Sequence, residues 1–398
     1  MKILIYSQYF YPETNAPANR LLDVAKYLSK KNEVTILTGF PNHPLGKMIG
    51  GYRMKWLLKE RLEGMDIFRS FLIIPKKTNS KIWRYLNYFS FAFSSFWNLF
   101  RMKKPDLILV TTPPVSVLIL GYIYAKLRKV EMVIDLRDMW PEAAISLKVI
   151  KRGVVSRILE SLVLKSYNYS KKIIINTEAF RKVLVDNYLI TNTKIEYIPN
   201  GFDIEANLGL KKDYGKSDEF KIVYSGLFGW AQNVDLIVET AKIFQENNTN
   251  VKFILIGDGP LKENLSAKIL KYNLKNVEIL EYQKKENLFK IISECALGLV
   301  TYEINDTFRK NIPSKIFDYM FLKIPVLINL EGEASKMISS GSFGFELETN
   351  NPKEFYLKII EIISNRTELK ARGINGFNFL KENFDKKILL EKLNKIIE

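Results

Sequence analysis

Residues 310–330, KNIPSKIFDYMFLKIPVLINL, join a helix start to a short apolar strand. Pro313 suits the first helical position, where its missing N–H costs nothing. The free amides and partial positive charge of that helix end then fall around Ser314 and Lys315, where an anion fits. Asp318 stands four residues beyond Ser314 and three beyond Lys315, so the three side chains share one helix face. A phosphate-sized cation with a carboxylate one turn below suits a sugar nucleotide, the carboxylate reaching a ribose diol. The same residues also read as a capped surface helix carrying a Lys/Asp pair.

The strand that follows, Val326–Asn329, is the last of a series. Lys2–Tyr6, Glu33–Leu37, Met65–Ile74, Asp106–Thr111, Glu131–Leu136 and Lys172–Asn176 read as short strands separated by helical patterns. This alternation is the signature of a parallel, doubly wound α/β sheet. It restarts at Lys221–Tyr224 and runs through Lys252–Ile256, Val277–Leu280 and Leu297–Thr301 to Val326–Asn329, which makes two such domains. Pro199, Asn200 and Gly201 mark a linker between them. The expected division is residues 1–198, residues 199–376, and a helical tail, 377–398, packing back on the first domain.

Composition narrows the chemistry. The single cysteine, Cys295, and the single histidine, His43, exclude a disulfide framework, a cysteine zinc site and a multi-histidine metal site. No Gly-x-Ser-x-Gly nucleophile motif is present. No Gly-x-Gly-x-x-Gly follows a strand, since Gly257-Asp258-Gly259 continues Pro260-Leu261-Lys262, so a dehydrogenase reading fails. The first strand follows Met1 after too short an apolar run for a signal peptide. Charge is uneven: residues 1–200 hold 32 Lys/Arg against 15 Asp/Glu, whereas residues 201–398 hold 28 of each. A basic half attracts nucleic acid, an anionic membrane or a phosphorylated acceptor.

In such domains ligands bind at the carboxyl ends of the strands. After the first strand comes a loop of small residues, Asn15-Ala16-Pro17-Ala18-Asn19-Arg20, whose amides suit a phosphate or a simple capped turn. After the strand at Glu131 comes Asp135-Leu136-Arg137-Asp138-Met139-Trp140-Pro141-Glu142, a charged and aromatic cluster. Ser225-Gly226-Leu227-Phe228-Gly229 opens the second domain with two glycines where the backbone approaches something closely, and Gly257 lies in a turn of the same type.

Residues 82–100 carry nine aromatics in nineteen positions, with Arg84, Asn87, Ser90, Ser94 and Asn98 recurring as one thin polar stripe. Lys76, Lys77 and Lys81 precede this helix and Arg101, Lys103 and Lys104 follow it, which is how a helix lying in the headgroup region is dressed. Trp83, Phe89, Phe93 and Trp97 are its candidate membrane contacts. Burial against the first sheet is the competing reading.

Taken together the loops resemble the retaining glycosyltransferases of family 4, with the GT-B fold, and in particular the bacterial fucosamine transferases of O-antigen synthesis. The carriers are residues 9–13 (YFYPE), 38–46 (TGFPNHPLG), 138–142 (DMWPE), 200–203 (NGFD), Ser225-Gly226 with Ala231-Gln232, 257–260 (GDGP), and Pro313-Ser314-Lys315 with Asp318-Tyr319-Met320. The resemblance implies two Rossmann-like domains facing a central cleft, a nucleotide-sugar donor held by the second, an acceptor held by the first, and retention of anomeric configuration with no metal or other cofactor. The implied donor contacts are Asn15, Ala16, Gly226, Gln232, Asn233, Gly257, Arg309, Lys310, Ser314, Lys315 and Asp318. The implied acceptor contacts are Arg20, His43, Arg137, Asp138 and Trp140, with Asp138, Lys315 and Asp318 serving catalysis.

The chain departs from the family pattern at three places. Lys310 and Asp318 stand where many members carry two glutamates. Leu227 to Asn233 offers no cation where an arginine and a lysine are common. Asn15-Ala16 replaces a glycine pair. The leading expectation is a cytoplasmic enzyme, peripheral on the inner face of the membrane, moving a sugar from a uridine-type nucleotide sugar to a polyprenyl-diphosphate-linked acceptor, with no nucleic-acid partner. The alternatives are a nucleotide-sugar epimerase of the same architecture and a non-catalytic protein that binds anionic membrane or nucleic acid.

Overall fold

A computed structural model describes residues 1–13, 15–42, 47–49, 51–74, 81–139, 153–207, 219–306, 308–310 and 312–398. The chain forms two compact units, Met1–Asn200 with Leu389–Glu398, and Gly201–Ile388.

The first unit holds eight strands: β1 Lys2–Tyr6, β2 Glu33–Gly39, β3 Leu57–Leu62, β4 Met65–Ser70, β5 Leu107–Thr112, β6 Glu131–Leu136, β7 Lys172–Ile175 and β8 Ile195–Tyr197. They lie in the order β3-β4-β2-β1-β5-β6-β7-β8. Every pairing is parallel except β3 with β4. The second unit holds β9 Phe220–Ser225, β10 Val251–Ile256, β11 Val277–Leu280, β12 Leu297–Val300, β13 Val326–Ile328 and β14 Gly344–Glu346, all parallel, in the order β11-β10-β9-β12-β13-β14. Strand order reverses between β1 and β5, and again between β9 and β12, which places a switch point beside the loops after β1 and β9.

Each sheet is covered on both faces, and the apolar runs show why. Along β1, Leu4 and Tyr6 join one core while Ile3 and Ile5 join another. Along β9, Val223 and the pair Ile222 and Tyr224 divide in the same way. Successive side chains point to opposite faces, so a strand buried on both sides must be continuously apolar.

Three strands escaped the sequence pattern. β3 is a polar edge strand, joined to β4 by Glu63 and Gly64, both at positive φ as a tight hairpin turn requires. β8 and β14 are three residues each, too short for a periodicity. The strand expected over Met65–Ile74 stops at Ser70.

Beyond Ser70 the backbone pairs with side chains of the helix Lys81–Arg101. Ser94 Oγ donates to the Phe71 carbonyl at 2.5 Å, Asn87 Nδ2 donates to the Ile73 carbonyl at 2.8 Å, and the Ile73 N–H donates to Ser90 Oγ at 2.8 Å. Asn98 Nδ2 reaches Ser70 Oγ at 2.9 Å, and Gln8 Nε2 reaches Asn87 Oδ1 at 2.6 Å. Asn87, Ser90, Ser94 and Asn98 of the polar stripe therefore face inward, because they satisfy backbone groups beyond the end of β4. Phe89, Phe93 and Trp97 are exposed and Trp83 is half-buried. Lys76 and Lys77 lie outside the described residues, as do the side chains of Lys81 and Arg84. No described helix is long and apolar enough to cross a membrane.

The tail is two helices, Arg366–Asn383 and Lys386–Ile397, broken where the Phe202 N–H donates to the Phe384 carbonyl and the Lys386 N–H to the Phe202 carbonyl. A Cβ on Gly201 would stand 2.7 Å from Lys386 Cα, which is why the linker has glycine there. Phe377 lies inside the first of these helices and packs on a core of the second unit. Leu389, Leu393 and Ile397 are buried with Ile3 and Ile5.

Candidate active site

The second unit contains a cavity of about 670 Å³ at the carboxyl ends of its strands, lined by Gly226, Gln232, Gly257, Ser314, Lys315 and Asp318 among others. The helix at its wall runs Lys315–Phe321, with Ser314 as its cap and Pro313 just before it. It starts two residues later than the proline predicted. Ser314, Lys315 and Asp318 nevertheless share the cavity wall, as their spacing requires.

Lys315 Nζ sits 3.5 Å from the ring centroid of Tyr224, and burial holds its pKa well below the ordinary lysine value. It is the one cation among the described lining residues, and no described carboxylate forms an ion pair with it. A Cβ on Gly226, which has φ 141°, would stand 3.1 Å from that ammonium. A Cβ on Gly257 would stand 1.8 Å from the Gly226 carbonyl oxygen. The close approach these glycines permit is thus to the lysine and to each other's loop. Burial pushes the Asp318 carboxyl up to about 6, with the Lys285 charge pulling the other way. Both groups keep part of their surface toward the cavity.

Tyr319 anchors the wall. It is fully buried, its hydroxyl accepts the Ser225 N–H at 3.1 Å, and its ring fills the space a side chain on Gly298 would need. Gln232 brings an amide oxygen, Oε1, that is buried with no hydrogen-bond partner among the described residues. Asp258, Tyr282, Gln283 and Tyr302 also line the cavity and were not singled out as site residues, and Tyr224 supports the lysine from below. Tyr224 was legible only as a strand residue, because its role comes from the lysine folded over it.

Other donor candidates are committed elsewhere. Asn233 is buried at positive φ, and its Nδ2 donates to Asn350 Oδ1 at 2.8 Å. Arg309 forms a bidentate pair with Glu348 at 2.5 and 2.8 Å and also donates to the Glu331 carbonyl. Lys310 is exposed and does not line the cavity. In the first unit Asn15 caps the helix Ala16–Leu28, accepting the Ala18 N–H at 2.8 Å, and Ala16 is that helix's first residue.

The acceptor candidates of the first unit gather at the end of β6, around a carboxylate not expected to be their centre. Asp135 is buried, 3.3 Å from Arg20 Nη2 and 4.0 Å from Arg137 Nη1. Arg20 does not open outward to a phosphate: Nη1 donates to the Pro199 carbonyl at 2.7 Å and Nη2 to the Ile198 carbonyl at 2.9 Å, holding the linker. Arg137 donates to Asn200 Oδ1 at 3.4 Å, and burial holds its pKa below the ordinary arginine value. Arg20 Nε and Arg137 Nη1 are buried without hydrogen-bond partners among the described residues. Two guanidiniums against one carboxylate leave local positive charge beside Asp138, which is half-buried. His43 and Trp140 lie outside the described residues. Among the described residues no group of three or more His, Cys, Asp or Glu side chains is placed to hold a metal.

Two family domains cover most of the chain: Glycosyltransferase Family 4 over residues 18–206 and Glycosyl transferases group 1 over residues 210–379. The chain belongs to the glycosyltransferases of the GT-B fold. An uncharacterized glycosyltransferase of Methanocaldococcus jannaschii is 22% identical over 100% of this chain and 98% of its own length. An N-acetylgalactosamine-N,N'-diacetylbacillosaminyl-diphospho-undecaprenol 4-alpha-N-acetylgalactosaminyltransferase of Campylobacter jejuni is 28% identical over 36% of this chain and 37% of its own. Among solved structures, Anabaena HepE, crystallised with UDP, superposes with a TM-score of 0.69 at 15% identity, covering 100% of this chain and 99% of HepE. Both matched domains are glycosyltransferase domains, so the epimerase and the non-catalytic readings are not favoured.

Proposed function

We propose that this glycosyltransferase takes a sugar from a nucleoside-diphosphate sugar, with uridine as the base, held in the second unit. The acceptor is a polyprenyl-diphosphate-linked saccharide held by the first unit at the inner face of the cell membrane, in bacterial surface glycan or polysaccharide synthesis. One observation carries the reading: an ammonium with no ion-pair partner among the described residues and a carboxylate of raised pKa face one cavity. A buried charge without a partner is costly unless a ligand supplies the opposite charge. A diphosphate does so at Lys315 and favours the lysine's protonated form.

In this scheme Lys315, with Ser314 and the amide of Gly226, neutralises the leaving diphosphate, which is where negative charge develops in the transition state. Asp318 accepts a hydroxyl of the ribose, and Gln232 Oε1 accepts one from the sugar nucleotide. Transfer proceeds with retention, the departing phosphate oxygen taking the acceptor's proton, and Lys315 carries the phosphate charge that a metal carries elsewhere. Asp138 orients the acceptor hydroxyl, and the excess positive charge of Arg20 and Arg137 favours the acceptor's phosphates. UDP in the HepE crystal and the diphospho-undecaprenol in the name of the Campylobacter relative support the choice of donor base and acceptor.

The test starts with thermal shift against nucleotide sugars, where a ligand at a hundred times its Kd should stabilise by about 2.7 kcal/mol. Nucleotide release is then measured with a polyprenyl-diphosphate saccharide and with the free saccharide, each with and without EDTA, and the product anomer is read by NMR. Release with the free saccharide alone would remove the lipid acceptor, loss of turnover in EDTA would remove metal independence, and an inverted anomer would remove retention. A UDP-sugar shift that survives replacing both Lys315 and Asp318 with alanine would remove the site.

A further inference from the structure

The helix Lys81–Arg101 is inverted relative to an ordinary surface helix. Its inner face spends Asn87, Ser90, Ser94, Ser95 and Asn98 on hydrogen bonds, Ser95 meeting the Tyr6 hydroxyl at 2.7 Å. Its outer face presents Leu86 at 40% exposure, Phe89 at 72%, Phe93 at 63% and Trp97 at 53%. These positions are separated by three, four and four residues and therefore form one straight row, which the exposed Arg101 continues after four more. From Leu86 to Arg101 the row is about 22 Å long at 1.5 Å per residue. Trp56, 41% exposed, widens it from the side: its ring is 6.1 Å from that of Phe93 in an edge-on contact.

Contiguous exposed aromatics of this extent mark a surface that is covered in use. The charges around them indicate by what. Arg53 and Lys55, exposed just before Trp56, flank one side, and Arg101, Lys103 and Lys104 close the carboxyl end of the row. A second copy docked through the same face would return these cations against their own kind, since a two-fold interface pairs one patch with itself. An anionic lipid surface complements both features, taking the rings at the boundary of headgroups and acyl chains and the cations at the phosphates. A row of side chains along one helix face keeps the helix parallel to that surface rather than across it.

We propose that Leu86, Phe89, Phe93 and Trp97, with Trp56 beside them and Arg53, Lys55, Arg101, Lys103 and Lys104 around them, form an in-plane docking face for an anionic lipid bilayer. This deepens the membrane part of the function given above by assigning its side chains. The buried polar stripe is what makes it workable: with the inner face held by hydrogen bonds to residues 71–73, the aromatic face is left for lipid.

The test is flotation of the full chain with phosphatidylcholine vesicles that contain or lack phosphatidylglycerol. The wild type should float with the anionic vesicles, and Phe89→Ser/Phe93→Ser/Trp97→Ser should bind them roughly tenfold more weakly or less. Equal binding by that variant overturns the proposal. So does a wild type that leaves the vesicles untouched and sediments as a dimer that the variant converts to monomer. Because the replaced rings are exposed, the melting temperature should hold. Should it fall, Arg53→Ser/Lys55→Ser/Lys103→Ser gives an independent reading, with weaker anionic binding expected and unchanged binding overturning the proposal. UDP-sugar thermal shift on the same samples separates the two claims: a loss of vesicle binding with the nucleotide shift intact touches only the docking face, and the reverse touches only the donor site.

Discussion

The two units handle buried charge in opposite ways. At the end of β6 in the first unit, the Asp135 carboxylate is shared by two guanidiniums, and Arg20 is further tied to the linker carbonyls at 2.7 and 2.9 Å. In the second unit, Lys315 rests on an aromatic ring with none of the described carboxylates paired to it, and Asp318 sits where its own ionisation is disfavoured. The first arrangement is satisfied chiefly from within and holds the linker in place. The second is left open for the nucleotide sugar proposed above. Charges spent on the fold and charges held for a ligand are thus told apart by their partners, since residue type and spacing look alike in both.

The sharpest way to break this contrast is Asp135→Ala. It strands two guanidiniums in a buried site, and urea denaturation should show a loss of about 3–5 kcal/mol. If the loss is below about 1 kcal/mol, the cluster is no more structural than a surface pair.

Lys315→Met should do the reverse. Removing an unpaired, desolvated ammonium should leave the melting temperature equal or higher, while kcat/KM for the donor falls by roughly a hundredfold to a thousandfold, the scale of a lost transition-state contact. A variant that unfolds instead would place this lysine with the scaffold.

Asp318 gives a pH signature. Its folded pKa of about 6 lies above the ordinary carboxylate value of 3.8, so the folded ligand-free chain binds more protons between those values. Stability should therefore fall as pH rises from about 4 to about 6 and stay flat above, by about 1–2 kcal/mol after allowing for the carboxylate's partial contact with solvent. Asp318→Asn should abolish that slope and be the more stable protein at neutral pH. Donor kcat/KM in the wild type should fall below about pH 6, where the carboxylate takes up its proton. Urea midpoints on either side of pH 6 and a pH–rate profile check both.

The smallest expected effect is that of Tyr319→Phe. It removes the hydroxyl that takes the Ser225 N–H, and about 1 kcal/mol of stability should go with it. Donor KM should rise only a few-fold, because the loop carrying Gly226 loosens while Lys315 remains.

Much of the fold was legible because a strand buried on both faces must be an apolar run, and such runs recur through the chain. What escaped was short or polar: β3 on an edge, and the three-residue β8 and β14. Ser314, Lys315, Asp318, Gly226, Gln232 and Gly257, named from helix spacing, glycine placement and family resemblance, all line one cavity. Asn233 and Arg309 looked equally suitable, and only their partners Asn350 and Glu348, distant along the chain, show that they are taken.

The aromatic helix draws the same boundary. Its pattern established that one face would be polar and the rest apolar, since those are properties of order along a chain with a 3.6-residue turn. Which face turns inward depended on the Phe71 and Ile73 carbonyls and the Ile73 N–H, which the helix side chains take up and whose need for partners exists only once β4 has ended. Local order along the chain sets what each element can offer. Contacts between residues far apart in it decide which offers are taken up, because a hydrogen bond or a buried charge is satisfied by whatever the fold brings within about 3 Å.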